Sequence, residues 1–425
     1  MTDDLGLPGR RELPPEVLDN LRMSLREGMG KPERRRWPIV AAAAAVVLVL
    51  AGALVTTVLI REPDGQGPVV ANPDFSLDWP KAVSAMDRCW AVVQSEGRAA
   101  SFPPRNEWVP RFTVVSYSVT VVAMTVGDKP LFCETTLMTA TVSDPNAAPA
   151  YTEGTRTAAL LMTPAGTVAG IADPDWPKVE LTGQNEASQS KRDIPVFRPG
   201  NLFAHIAPMK MSRTTYAVGP TPGEQSRPYG YQAPYPLRPA PEPAVSRLDK
   251  PVFPVPDRAT PAGEFFKVCT AGASETVADE DAFRVGAYLE GQDVGVAVAR
   301  LGGQAIVCQG GLGYGDGKTE YYRVFSGDPR SAGPVRTVQA ETVGRVDRNG
   351  NRVPVRNTFL GVVPEAAAGV KLDFGTGTTI DATVVDGTFA AWMPDGFSLA
   401  YDVRVGITVL DAAGAILYQG TLPLY

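Results

Sequence analysis

The sequence predicts one transmembrane helix followed by a β-rich extracytoplasmic region, α+β or β-sandwich-like, arranged as two tandem similar domains. Three observations carry this. The run 39–60, IVAAAAAVVLVLAGALVTTVLI, holds no charged residue. Beyond Trp79, short β-branched and aromatic runs alternate with Gly, Asn and Asp, as strands alternate with tight turns. Two widely separated stretches also repeat the same residues in the same order.

At about 1.5 Å per residue the apolar run reaches about 33 Å, enough to cross a hydrocarbon core of about 30 Å. Twelve of its residues are Val, Leu or Ile, and a helix satisfies its own backbone in lipid. Arg10, Arg11, Arg22, Arg26, Lys31, Arg34, Arg35 and Arg36 precede it, while Arg61 stands alone after it until Lys81. Cations close to the apolar end are retained in the cytoplasm, so 1–36 is a cytoplasmic tail, 37–60 the membrane helix and 61–425 extracytoplasmic. Arg34, Arg35, Arg36 and Trp37 are the membrane-interface residues, the arginines snorkelling to lipid headgroups beside an interfacial indole. A cleaved signal peptide is the rival, with Ala51-Gly52-Ala53 as its small-x-small site. The apolar run continues past that site and exceeds the usual signal core of about 7–15 residues, which favours an uncleaved anchor in the cell membrane.

In the tail, Pro14-Pro15 opens a short helix to about residue 29 with Leu18, Leu21 and Leu25 along one side, a membrane-proximal helix or a docking face for a cytosolic regulator. Residues 61–78 form a tether rich in Pro, Gly and Asp. The first outer domain, 79–219, begins with a helix whose stripe Val83, Met86, Trp90 and Val93 carries Cys89. Strands follow over 112–124 and 131–142, joined by a Gly127-Asp128 turn, and a further β-rich part runs from 158 to 218. Residues 220–262 include twelve prolines and predict a semi-rigid polyproline-like spacer reaching at most about 130 Å. The second outer domain, 263–425, shows short strands punctuated by glycine, with Asn349-Gly350 and Asp386-Gly387 as hairpin turns.

The repeat ties the domains together. GIADPDWPKVEL (170–181) lies ungapped over GVVPEAAAGVKL (361–372), and NLFAHIAP (201–208) over GTFAAWMP (387–394). Upstream, Cys133 falls near Cys308 and Cys89 near Cys269. All four cysteines lie beyond the anchor, so they read as disulfides. Of three possible pairings the repeat selects Cys89–Cys133 and Cys269–Cys308, each stabilising by up to roughly 4 kcal/mol in the loop-entropy account. The first domain's helix has no clear counterpart in the second.

Both the repeated phrase, with its D-G-x-F-A-A-W-x-P ending, and the basic tail with ELPPEVLDNLR resemble uncharacterised actinobacterial single-pass membrane proteins, some loosely called anti-sigma-factor-like. The resemblance covers the tail, the anchor and the last third of the chain, and it implies a single-pass topology without a catalytic residue. Membrane-bound anti-sigma factors often carry a cytosolic zinc-binding domain with His and Cys ligands, and this tail has neither residue.

Little chemistry converges. Subtracting the eight basic and seven acidic residues of 1–60 from totals of 40 and 46 leaves 32 and 39 outside, a net of −7. That balance argues against nucleic acid as a partner and against tight binding to anionic headgroups. The only histidine, His205, matches Ala391 in the other copy and reads as surface or filler, leaving a Ser-His-Asp triad or a His-rich metal site little to build on. Ser188-x-x-Lys191 sits in a polar loop rather than at the head of a helix. The glycine-rich stretch 310–319 imitates a phosphate loop but carries Leu312 where that pattern needs Gly. Residues 347–351 read as a hairpin rather than half a calcium loop. Asp279, Glu280 and Asp281 read as solvated, and Trp108, Trp176, Trp392, Tyr314, Tyr321 and Tyr322 as packing residues or, less simply, a platform for a cell-wall sugar. No catalytic residue, cofactor or metal is expected. The expected function is a membrane-anchored extracytoplasmic binding or interaction protein facing membrane lipid and a cell-wall or envelope protein. An anti-sigma-like signalling regulator acting through 1–36 is the alternative, and a cell-wall-directed hydrolase the third reading.

Overall fold

The computed structural model describes residues 75–423 except 117, 186–188, 222–232, 251–255, 292–293, 315–318, 328–333, 347–351, 376, 378, 396 and 398–402. The tail, the apolar run 39–60, the tether up to residue 74 and the interface residues Arg34, Arg35, Arg36 and Trp37 lie outside the described residues. Among the described residues no helix is long and apolar enough to cross a membrane.

Helix α1 (Trp79–Ser95) starts where the Asp78 side chain accepts from the Lys81 amide and Pro80 presets the first turn. Its stripe of Ala82, Ala85, Met86, Cys89, Val92 and Val93 is buried against an antiparallel sheet of β1 (Val109–Ser116), β2 (Val119–Val126), β3 (Lys129–Thr135) and β4 (Thr139–Val142). β2 shows why these strands read as unbroken apolar runs rather than alternating ones. Val122, Met124 and Val126 face the helix, while Val119, Val121 and Ala123 face a second layer, so both faces of the sheet are covered. Cys89 on α1 is joined to Cys133 on β3.

The second layer is a sandwich. β5 (Ala158–Met162), β6 (Thr167–Ile171) and β9 (Leu202–Ile206) form one sheet in the order β5-β6-β9. Facing it, β7 (Lys178–Gln184), β8 (Gln189–Pro195), β10 (Thr215–Pro220) and β11 (Tyr235–Pro236) are ordered β11-β10-β7-β8. Val168, Val179, Leu181, Phe203 and Val218 fill the space between.

The proline-rich stretch 220–262 departs from the expected spacer. Its described part returns along the first domain: β11 pairs with β10, and β12 (Val245–Leu248) pairs with β4 to complete a five-stranded sheet. Leu237 and Val245 are buried, and Arg88 on α1 makes a two-pronged contact to Asp249 at 2.6 Å on each prong. Proline is compatible with this because an edge strand needs no amide on its outer side, and the residues between the prolines supply the burial.

The second half restarts with α2 (Pro261–Gly272), capped by the Thr260 hydroxyl accepting from the Gly263 amide. This corrects the expectation that the first helix lacks a counterpart. With only Gly263, Phe266, Cys269 and Thr270 buried, its apolar stripe is too short and too glycine-rich to show as a period. β13 (Arg284–Glu290), β14 (Val294–Leu301), β15 (Gln304–Tyr314) and β16 (Thr319–Gly327) follow, and Cys269 on α2 is joined to Cys308 on β15. Last come β17 (Arg336–Val346), β18 (Arg352–Val362), β19 (Gly369–Asp373), β20 (Thr379–Val385), β21 (Thr388–Trp392), β22 (Arg404–Leu410) and β23 (Ile416–Pro423), in one seven-stranded sheet ordered β17-β18-β21-β20-β19-β22-β23.

The two halves share this topology, except that β12 of the first half has no counterpart among the described strands of the second. β5-β6-β9 corresponds to β17-β18-β21, and β8-β7-β10-β11 to β20-β19-β22-β23. The matched residues sit at matched places: Gly170 lies opposite Phe203 and Gly361 opposite Phe389. A Cβ at Gly170 would stand 2.0 Å from the Ala158 carbonyl oxygen, and one at Gly361 2.2 Å from that of Arg336, so close strand approach requires glycine at both. The Asp386-Gly387 turn has positive φ at both residues (49° and 70°), as a two-residue hairpin demands.

The described residues fall in one compact unit, and the halves are joined at the end of α2. The Lys210 amide donates to the Ser274 carbonyl and the Thr276 amide to the Pro208 carbonyl. Lys210 and Arg213 bring their cations to the last carbonyls of α2, at Thr270, Ala271 and Gly272, where the helix dipole favours them. Asp279, expected to be solvated, instead accepts from Thr136 Oγ1 (2.8 Å), the Met138 amide (3.0 Å) and Thr139 Oγ1 (3.1 Å).

Candidate functional site

The halves differ where β8 meets β9. In the second half the equivalent strands zip together, with Thr383 paired to Ala390, Val384 to Phe389 and Val385 to Thr388. In the first half only one bridge forms among the described residues, between Phe197 and Leu202, which exchange both backbone hydrogen bonds. Antiparallel ladders alternate, so the next hydrogen-bonded pair would be Pro195 with Ala204. Val179 and Val370 are matched, and their partners Ile194 and Ala382 place Pro195 where Thr383 stands. Proline has no amide proton, and the ladder stops there.

Beyond Pro195 the seam opens into a pocket of about 220 Å³. Phe75 and Phe112 form its apolar side, their ring centroids 4.7 Å apart, and Phe197 packs edge-on to Phe75. Ser76, Thr113, Arg192, Asp193 and His205 supply the polar lining. Thr113 Oγ1 is committed, donating to the Ser76 carbonyl and accepting from the Asp78 amide. His205 Nε2 is buried and has no hydrogen-bond partner among the described residues. Burial, reinforced by the Arg192 charge, pushes His205 down to about 4, so the ring is neutral at physiological pH. His205 corresponds to Ala391, and Arg192, opposite Leu181, corresponds to Ile380, opposite Leu372. Thus two polar groups occupy places that the sister copy fills with apolar side chains packed on its core.

A neutral imidazole, a guanidinium and hydroxyls beside an aromatic wall can orient a small polar group. They do not form a nucleophile–base pair, because no hydroxyl or thiol is bonded to His205 Nε2. The other sequence motifs lie apart from this pocket. Lys191 is on strand β8, 3.2 Å from the buried Glu180 carboxylate, and Ser188 lies outside the described residues. The glycine-rich stretch 310–319 joins two antiparallel strands, β15 and β16, where a phosphate loop needs a helix to follow. β17 and β18 pair up to Val346 and Arg352, while 347–351 lie outside the description. Trp108 is a core residue rather than a sugar platform, donating to the Pro103 carbonyl and packed edge-on to Trp90. Trp176 stacks on Tyr235. Nothing is described of the side chains of Tyr314, Tyr321 and Tyr322. Among the described residues no group of His, Cys, Asp and Glu side chains is arranged to hold a metal ion.

Comparison of the two copies, strand partner by strand partner, was the signal that could have singled out Arg192, Pro195 and His205. The sequence alone sets His205 against Ala391, a difference that without the strand registers reads as surface or filler. No family model, curated protein or solved structure matches this chain.

Proposed function

We propose that the chain is a single-pass, membrane-anchored extracytoplasmic binding protein without catalytic activity, in which duplicated β-rich halves have diverged. The first half supplies the ligand site at the open seam between β8 and β9, and the second half keeps the same seam closed. The observation that carries this reading is the replacement of Thr383, Ile380 and Ala391 by Pro195, Arg192 and His205, which opens a polar pocket in an otherwise conserved topology. The anchor rests on the uncharged run 39–60 and the cations fencing its N-terminal edge. Two disulfides on the distal side support an oxidising compartment. A pocket this small accepts one side chain or one small polar group of an envelope component rather than a whole polymer segment.

Two measurements test it. Surface protease applied to intact cells is expected to remove a C-terminal epitope, and an epitope left intact overturns the topology. A photo-crosslinker in place of Arg192 in the full-length protein is expected to capture an envelope component, and capture is expected to fall when Pro195→Thr closes the seam. Capture that is unaffected by seam closure, or turnover of glycoside, ester or peptide substrates by the protein, overturns the assignment.

A further inference from the structure

The second half carries a charge cluster that the first half lacks. Arg284 on β13 and Arg300 on β14 are direct cross-strand partners, an arrangement that like charges disfavour. Arg336 opens β17 and lines, together with Arg300, a pocket of about 190 Å³ walled by Pro334, Val362 and Pro364. Among the described residues one carboxylate pairs with two of the three cations: Glu365 lies 2.8 Å from Arg284 and 3.6 Å from Arg300, and its side chain is 65% exposed. The remaining contacts of Arg300 are long, 3.5 Å to the carbonyls of Gly387 and Gly302. Arg336 donates once, to the Gly303 carbonyl at 3.1 Å, while its Nε is buried without a partner.

The fold itself does not require these cations. Leu301-Gly302 begins a hairpin turn as Val126-Gly127 does in the first half, which makes Arg300 equivalent to Thr125. Their partners make Arg284 equivalent to Val109. Gly361 and Gly170 are matched, and their registers make Arg336 equivalent to Ala158. Three neutral positions on three strands are arginine here, and among the described residues one carboxylate pairs with this group, while Arg300 and Arg336 line a pocket.

We infer that Arg284, Arg300 and Arg336 form an anion-binding site in the second half, which takes a ligand bearing a phosphate or carboxylate group. Guanidinium forks match the oxygen spacing of both groups. Arg300 and Arg336 provide the direct contacts from the pocket wall, and Arg284 holds Glu365 to one side. This inference stands independently of the β8–β9 seam.

The test is calorimetric titration of the detergent-solubilised full-length chain with inorganic phosphate and, separately, with acetate. Saturable binding of either is expected, and a tenfold preference for one identifies which oxyanion the site is built for. Arg300→Thr and Arg336→Ala, the sister-copy residues, are each expected to weaken binding at least tenfold. Glu365→Gln removes the competing carboxylate and is expected to tighten binding at least threefold. Pro195→Thr is expected to leave it unchanged, which separates this site from the seam. Binding of neither anion, or affinity indifferent to Arg300, Arg336 and Glu365, overturns the proposal.

Discussion

Half-buried His205 and buried Glu134 are titratable groups whose ionisation opposes folding, and they act at opposite ends of the pH range. Burial, with the Arg192 charge, depresses His205 from 6.5 to about 4. The unfolded chain therefore binds a proton more readily than the folded one, and stability is lost as pH falls from about 6.5 toward about 4. A shift of that size corresponds to at most about 3 kcal/mol. His205→Ala is expected to flatten this acid limb, so the stability difference between parent and variant should change over that window in denaturant titrations. An unchanged difference would place the imidazole in water. Glu134 has the reverse sign: burial raises its carboxyl above 4.5, against the opposing hydrogen bond of Thr163. The folded state then holds the proton more tightly, and stability declines as pH rises from about 4.5 through the raised value. Glu134→Gln keeps an oxygen for the Thr163 hydroxyl, which donates at 2.6 Å. The variant is expected to be the more stable protein near neutrality and to lose that advantage toward pH 4.5, as thermal melts at the two pH values would show.

At the scale of elements, what the sequence made legible depended on whether a local pattern governed the outcome. The apolar stripe of α1 and its capping Asp78 are local, as are the glycine turns at 127 and 387, and the chain forms them where the pattern lies. The disulfides Cys89–Cys133 and Cys269–Cys308 were legible only through the repeat, because spacing alone leaves the pairing open. α2 was hidden because four buried residues in twelve give too short a period. β11 and β12 were hidden because proline content reads as a spacer until Leu237 and Val245 find a surface to bury against. The open seam was hidden for a different reason: an unformed strand pair has no local signature, and Pro195 gains meaning only when set opposite Ala204. That makes Pro195→Thr the informative substitution. It restores one backbone donor at a place where the sister copy pairs Thr383 with Ala390, and it is expected to stabilise the domain by about 1 kcal/mol. Hydrogen exchange should slow at the Ala204 amide, and unchanged exchange there would show that the loop following Phe197, rather than the missing donor, holds the seam apart.

At the scale of the molecule, the segment after α2 determines whether the two halves behave as one cooperative unit. Asp279 adopts a left-handed backbone conformation (φ 58°) that turns its carboxylate onto the β3–β4 turn of the first half, where three donors meet it. Burial is the main reason the Glu134 carboxyl is raised, and the Asp279 charge adds to it in the same direction, so the junction links the titration of one half to a residue of the other. Removing the acceptor with Asp279→Ala leaves the Met138 amide and two hydroxyls without it, and hydrogen bonds to a charged group contribute about 1.5–3 kcal/mol each at most. The parent is expected to melt in a single calorimetric transition, and the variant in two, since the core of each half is built from its own strands and closed by its own disulfide. Asp279→Asn keeps an acceptor oxygen and tolerates positive φ, so it should preserve the single transition while weakening the pH dependence attributed to Glu134. If both variants melt as the parent does, the backbone pairings at Lys210 and Thr276 suffice to join the halves, and Asp279 acts only on the β3–β4 turn.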